Sequence, residues 1–362
     1  MPSAVAIDVP PVDDARRSDL VVVANRLPVH RVGDQWATSP GGLVRAMMGV
    51  LSGRKGSWVG WNGDTIEPAQ DPHTFGPDLA EAGDLHDLDG IELVAVPLSS
   101  DEFLHHYERI SNGALWPLFH DAIRDSIFDP ESWAVYREVN ARFAAAAAGA
   151  AAPGATIWIH DYHLLLMPAM LRTLRPDVSI GFFLHIPFPP QELFMRMPWR
   201  EEILDGLVGA DLLGFQRSVG ADNFVAIAKR LLGAAESDAD PDVLVLPNGR
   251  TVRVGTFPIS IDSGEIASMS HQSDIPERVR RLRNRLGNPA AIFLGVDRLD
   301  YTKGIDLRLA SFGDLLRRRS KGVPENPDVV LVQIAVPGRE GVDSYVEERQ
   351  TIERLVGEVN GE

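Results

Sequence analysis

Several short segments carry residue types suited to holding phosphate and sugar groups. GVDRLDYTKG (295–304) sets Arg298 and Lys303 five residues apart around the end of an apolar run. Two fixed cations there suit a diphosphate, although Asp297 and Asp300 are alternative partners for Arg298. Arg339, in AVPGREG (335–341), repeats the scheme after the next apolar run. ANRLPV (24–29) and SPGGL (39–43) join Arg26 to Gly41-Gly42. A diglycine lets backbone approach a ligand, and the helix behind it offers free N–H groups to an anion; a plain helix-start turn accounts for the pair equally. IWIHDYHLLL (157–166) gathers His160, Asp161 and His163. The histidines invite a metal reading, but no further ligand cluster accompanies them, so no metal is expected. Asp161 is better used to orient sugar hydroxyls, and it could also cap the next helix. GFFLHIPFPP (181–190) ends an apolar run in His185 and a turn stiffened by prolines around Phe188; His185 is either a site residue or a core histidine. Tyr107 and Trp116, in HHYERISNGALWP (105–117), either line a sugar site or belong to the core.

The elements that must position these residues can be read from the same text. DLVVVANR (19–26), IELVAVPL (91–98), TIWIHDY (156–162), VSIGFFLHI (178–186), DLLGFQ (211–216), TVRVGTFPISI (251–261), AIFLGVDRL (291–299) and DVVLVQIAV (328–336) are apolar throughout rather than alternating. That pattern marks parallel strands covered on both faces. Helical patterns lie between several of them, at 41–53, 163–176, 218–233 and 275–288. Strand alternating with helix predicts a doubly wound α/β architecture, which places ligands at strand C-termini. Arg26, Asp161, His185, Arg298 and Arg339 all follow strand ends. Asn248-Gly249 between apolar runs predicts a local hairpin. The alanine run ARFAAAAAGAAAPGA (141–155) reads as a helix end and a Pro-Gly turn without a functional role. The expected organisation is a flexible tail over 1–18, a first domain over 19–262 and a second over 263–362, with only two clear strands in the second. Its sheet is expected to keep an unpaired edge and uncovered apolar faces.

Composition narrows the function. The 362 residues carry 35 Lys and Arg against 51 Asp and Glu, a net charge of −16. Such acidity argues against general nucleic-acid or anionic-membrane binding. With no cysteine, disulfides, zinc thiolates and cysteine nucleophiles are excluded. No apolar run reaches the roughly 18 residues of a membrane span, and the N-terminus lacks a signal-peptide pattern, so a cytoplasmic protein is expected. The first strand runs into ANRLPV rather than a Gly-x-Gly-x-x-Gly turn, which disfavours a nucleotide-dependent oxidoreductase.

Taken together, ANRLPV, SPGGL, GWNGD, NGALWP, WIHDYHLL, GFFLHIPFP, DLLGFQ, FPISID and VDRLDYTKG closely resemble the trehalose-6-phosphate synthase family of retaining glycosyltransferases, from about residue 19 to the end. The resemblance implies two Rossmann-like domains facing a cleft, the GT-B arrangement. It implies transfer of glucose from a nucleotide-glucose donor to glucose 6-phosphate, with no cofactor, and a homo-oligomer is expected. By the same resemblance, Arg26, Tyr107, Asp161 and Arg339 fall where the family holds glucose 6-phosphate. Gly41, Gly42, Arg298 and Lys303 fall where it holds the nucleotide sugar. Trp61, Trp116 and His185 fall in the sugar pocket, and Arg298, Lys303, His185 and Asp161 serve the catalytic step. The chain ends in ERLVGEVNGE, before the family's acidic Asp-Gly-Met-Asn-Leu-Val run. The resemblance therefore predicts that these 362 residues bind glucose 6-phosphate weakly and nucleotide sugar poorly, with little or no synthase activity. The alternative is a non-catalytic sugar-phosphate-binding or partner-binding module.

Overall fold

The computed structural model describes residues 17–32, 35–39, 41–51, 54–66, 88, 90–122, 125–320, 328–337 and 343–361. Of the expected tail, residues 1–16 lie outside this set, and Ser18 is already in a strand, in register with Ala151. The chain divides into two compact units, Met1–Ile259 and Ser260–Glu362, against a border expected after residue 262.

The first unit is built on a nine-stranded sheet. Its order from one edge is Ala235–Glu236, Val243–Val245, Thr251–Thr256, Leu212–Phe215, Ser179–Leu184, Ala151–His160, Ser18–Arg26, Gly56–Trp61 and Ile91–Ala95. The run from Thr251–Thr256 to Ile91–Ala95 is parallel throughout; the first two strands join it antiparallel. The antiparallel pair is the hairpin expected from Asn248-Gly249, where Gly249 adopts φ 82° and the Asn248 side chain accepts from Arg250 N–H. Central strands are buried on both faces, and Val21, Val22 and Val23 are wholly inaccessible. Their β-branched side chains fit that pleated, enclosed surface.

The alanine run takes a larger role than expected. It completes the helix Pro130–Ala150, which opens on an Asp129 cap and Pro130 and buries Ala141, Ala144, Ala145, Ala147 and Ala148. Small side chains let this long helix lie close on its neighbours. The Pro153-Gly154 segment does not separate helix from strand, because the strand already starts at Ala151. Arg175 stabilises this abrupt exchange by donating to the carbonyls of Ala148, Ala151 and Ala152. The sequence reading did not single out the strand Gly56–Trp61, which pairs with Ser18–Arg26, nor two local features of the first unit. One is a short antiparallel hairpin, Val29–Val32 with Gln35–Thr38. The other is a π-helix over Phe103–Leu115. Its wide turns are pinned by side chains reaching back five residues, Ser111 Oγ to His106 O and Asn112 Nδ2 to Tyr107 O, both 2.8 Å. π-Helix is rare and occurs mostly as single-turn bulges, which are frequent at functional sites.

The second unit pairs Ala291–Arg298 with Val329–Val336 in parallel. The helices Ile305–Ser320 and Asp343–Gly361 supply Ile305, Leu309, Ile352 and Leu355 to a small core that includes Leu299, Leu331 and Ala335. Leu294, Val296, Ile334 and Val336 stay exposed. No helix among the described residues is long and apolar enough to cross a membrane.

Candidate active site

Because the central strands of the first unit are parallel, their C-terminal ends share one edge of the sheet, where Arg26, Trp61, Asp161 and His185 emerge. Arg26 ends its strand in register with Trp61. The chain then turns so tightly that a Cβ at Gly60 would lie 2.6 Å from the Arg26 carbonyl carbon, which is why glycine stands there. Leu27 N–H donates to Trp61 O at 2.8 Å, and Trp58 Nε1 donates to Arg26 O at 3.1 Å. The exposed guanidinium lies 4.6 Å over the Trp61 ring and 5.9 Å from the Tyr107 ring. Cation–π contacts of this kind contribute about 0.5–1 kcal/mol at exposed sites and fix the orientation of the planar group. Among the described residues Arg26 forms no ion pair, so its donors face outward on a rigid mount.

Tyr107 comes from the π-helix and closes an aromatic wall. Its ring stacks on Phe103 at 5.1 Å and on His163 at 5.7 Å, and stands 6.4 Å from Trp61. Trp61 is itself buried, with Nε1 donating to Asp64 O at 2.7 Å. The wall continues from His163 to Tyr162 at 4.0 Å and on to the buried Trp116 at 5.6 Å. Tyr107 and Trp116 thus belong to one aromatic row, half-buried at Tyr107 and buried at Trp116.

Asp161 follows the neighbouring strand with φ 74° and ψ 169°, a conformation that belongs almost solely to glycine. Its side chain makes no capping bond to the short Tyr162–Leu164 helix. Oδ1 accepts instead from the backbone N–H of His185 at 3.2 Å, while its own N–H donates to Phe183 O at 2.8 Å. Non-glycine residues in such regions cost about 1–3 kcal/mol and persist where the surroundings over-determine them. Asp161→Gly is therefore expected to unfold at higher denaturant than Asp161→Ala, by roughly 1 kcal/mol or more. Equal stability of the two variants in chemical denaturation would contradict strain at this position.

His185 is half-buried, and burial lowers its pKa, with the nearby Asp161 charge opposing the shift. Its Nε2 lies 3.0 Å from Nδ1 of His160. Helix Gly42–Leu51 begins at the diglycine. Among the described residues a Cβ at Gly41 or Gly42 would meet nothing within 4 Å, so contacts with them do not demand glycine at either position.

In the second unit Arg298 ends its strand, and Lys303 closes the Tyr301–Lys303 turn ahead of Gly304, which adopts φ 59°. Asp300, 1% exposed, organises the turn: it accepts from Thr302 N–H at 3.0 Å, Thr302 Oγ1 at 2.8 Å and Tyr345 OH at 3.3 Å. Arg298 approaches the same carboxylate only to 3.7 Å, and its side chain is 54% exposed. So open a pair contributes little, about 0–1 kcal/mol. The other candidate partner, Asp297, is taken by Arg308 at 2.6 Å, and that guanidinium's hydrogen bond holds its carboxyl below the usual range. Lys303 forms no ion pair among the described residues. Arg339 lies outside the described residues. Among the described residues no group of three or more His, Cys, Asp or Glu could hold a metal ion.

Sequence reading missed Phe103 and the stacking role of His163. Phe103 sits four residues before Tyr107, a spacing that could have suggested the pair. It also weighed His160 only as a possible metal ligand.

Comparison with known proteins places this geometry. The chain is similar to the trehalose-6-phosphate synthase of Mycolicibacterium gilvum (strain PYR-GCK), 49% identical over 370 residues, covering 99% of this chain and 71% of that protein. Against that of Mycobacterium tuberculosis (strain ATCC 25618 / H37Rv) it is 50% identical over 364 residues, covering 95% and 69%. Among solved structures it resembles the E. coli trehalose-6-phosphate structure bound with UDP-2-fluoro glucose, with TM-score 0.78, 31% identity and coverage of 94% and 70%. It also resembles the UDP-forming alpha,alpha-trehalose-phosphate synthase of Burkholderia xenovorans in complex with glucose-6-phosphate, with TM-score 0.79, 29% identity and coverage of 94% and 71%. With residues 18–362 matched by the model for glycosyltransferase family 20, the chain belongs to that family.

Proposed function

We propose that this protein transfers glucose from a nucleotide-glucose, UDP-glucose first among the candidates, to glucose 6-phosphate, giving α,α-trehalose 6-phosphate and a nucleoside diphosphate. The observation that carries the acceptor half is Arg26: an outward-facing guanidinium with no ion pair among the described residues, mounted on Trp61 and beside Tyr107. A planar cation matches a phosphate bidentately, and an aromatic wall beside it suits the apolar face of a pyranose. Asp161 and His185 would bond the sugar hydroxyls. Arg339, matched to the family motif, would share the acceptor phosphate.

For the donor, Arg298 and Lys303 would hold the diphosphate, and Gly41-Gly42 would let backbone approach it. As the anomeric C–O bond lengthens, negative charge grows on the leaving phosphate oxygen while the anomeric carbon becomes oxocarbenium-like. Preorganised cations stabilise that charge most in the transition state. The acceptor hydroxyl then bonds to the same face of the carbon, and its proton passes to the departing phosphate. Configuration is thereby retained without an enzymic nucleophile, and binding both sugars in register supplies much of the remaining acceleration.

The test is product formation. The 362-residue chain, beside a polypeptide extended to the relatives' length, is incubated with glucose 6-phosphate and each nucleotide-glucose in turn. Trehalose 6-phosphate with both anomeric centres α is expected from at least one donor in the extended polypeptide. Donor hydrolysis without that product, or a β linkage, would contradict the reading.

A further inference from the structure

We propose that His160 is a positioning residue that sets the tautomer of His185, so that His185 presents an N–H, not a lone pair, to the bound sugar. The proposal rests on the reading of His185 as a sugar-pocket residue. His160 is wholly buried at the end of its strand, and its Nδ1 lies 3.0 Å from His185 Nε2. The ring is flanked by Trp158 at 4.7 Å, and its second nitrogen, Nε2, is buried with no hydrogen-bond partner among the described residues. Burial holds the His160 pKa well below the ordinary imidazole value and lowers that of His185, so both rings are neutral near pH 7.

Two neutral imidazoles place one proton in the bond between them. If His185 Nε2–H donates, the His160 proton must sit on Nε2, leaving a buried N–H without an acceptor. If His160 Nδ1–H donates, the orphan at Nε2 is a lone pair. Buried unpartnered donors are the rarer of the two in folded proteins, so the second arrangement is favoured. The tautomer of a histidine follows from the bond made by its other nitrogen. His185 then carries its proton on Nδ1, which makes no hydrogen bond among the described residues. The ring is also fixed in place. Asp161 Oδ1 accepts from the His185 backbone N–H at 3.2 Å, and Phe183 lies 4.6 Å from the ring. His185 thereby keeps a neutral N–H donor available for an oxygen of the sugar, a role the opposite tautomer could not fill.

Long-range proton–nitrogen NMR of the 362-residue chain labelled with 15N-histidine reads the tautomer directly, with His185→Asn identifying the resonances. The unsubstituted chain is expected to show His185 protonated on Nδ1. His160→Phe removes the donor and should return His185 to the Nε2–H form that free imidazole side chains prefer. His160→Asn places a carboxamide N–H near the lost Nδ1–H and should preserve the Nδ1–H form. Glucosyl transfer by the extended polypeptide should fall about ten- to a hundredfold in His160→Phe, with KM for glucose 6-phosphate little changed, and recover in His160→Asn. His185 protonated on Nε2 in the unsubstituted chain overturns the proposal, as does an unchanged tautomer in a folded His160→Phe. Should His160→Phe not fold, the unsubstituted spectrum and His160→Asn still decide. Glucose 6-phosphate titration separates the two claims. Binding with the wrong tautomer overturns only this inference, whereas the expected tautomer without binding overturns only the functional reading.

Discussion

Arg26→Ala is expected to weaken glucose 6-phosphate binding roughly ten- to a hundredfold while leaving nucleotide binding unchanged. Charge-assisted hydrogen bonds contribute about 1.5–3 kcal/mol, and each 1.4 kcal/mol is about tenfold in Kd. The effect should approach the upper end because the guanidinium is already held over Trp61, 4.6 Å from the ring, and loses little side-chain freedom on binding. Fold stability should change little, since an exposed cation–π contact contributes only about 0.5–1 kcal/mol. Arg26→Lys should recover only part of the affinity, because an ammonium cannot grip a phosphate bidentately. Calorimetric titration of the three proteins measures this. Equal weakening for sugar phosphate and nucleotide would make Arg26 a structural residue.

Arg298→Ala and Lys303→Ala carry the second large expectation. On the proposed reading each removes a cation from the charge developing on the leaving diphosphate, and each should slow transfer about a hundredfold or more, as does loss of one oxyanion donor. Neither substitution should change stability much. Arg298 has a loose contact to the buried Asp300 at 3.7 Å, and its removal leaves that carboxylate its bonds from Thr302 and Tyr345. Lys303 has no ion pair to lose among the described residues, so Lys303→Ala should leave stability unchanged. Nucleoside diphosphate release by the extended polypeptide gives the rates. Near wild-type turnover of either variant with donor affinity intact would contradict the assignment.

Most of the sheet, though not its Gly56–Trp61 strand, and several residues at strand ends were legible in the sequence for one physical reason. Buried parallel strands read as unbroken apolar runs, and the residue that ends such a run lies at the ligand-binding edge. Arg26, Asp161, His185 and Arg298 were found in this way. What supports them was not legible. The π-helix under Tyr107 depends on bonds five residues apart, and helical hydrophobic patterns report spacings of three and four. The positive φ of Asp161 leaves no trace in HDYH, because aspartate is not a residue that announces that conformation. The His160–His185 bond and the seat of Arg26 on Trp61 join residues 25 and 35 positions apart, a relation fixed by strand order rather than by local text. The alanine run was legible as a helix end, but its packing role was not. Its low complexity resembles a featureless helix end, yet small side chains are what a long helix needs to pack closely.

The measurement that bears most directly on the central claim is a calorimetric titration of the unsubstituted 362-residue chain with glucose 6-phosphate, with glucose and inorganic phosphate as controls. An arginine on an aromatic mount beside Tyr107, at the sheet edge that also carries Asp161, predicts saturable one-to-one binding of glucose 6-phosphate. Each control, carrying only half of the recognised chemistry, should bind at least tenfold more weakly. Glucose 6-phosphate binding no tighter than inorganic phosphate, or none at all, would contradict the assignment of this edge of the sheet as the acceptor site.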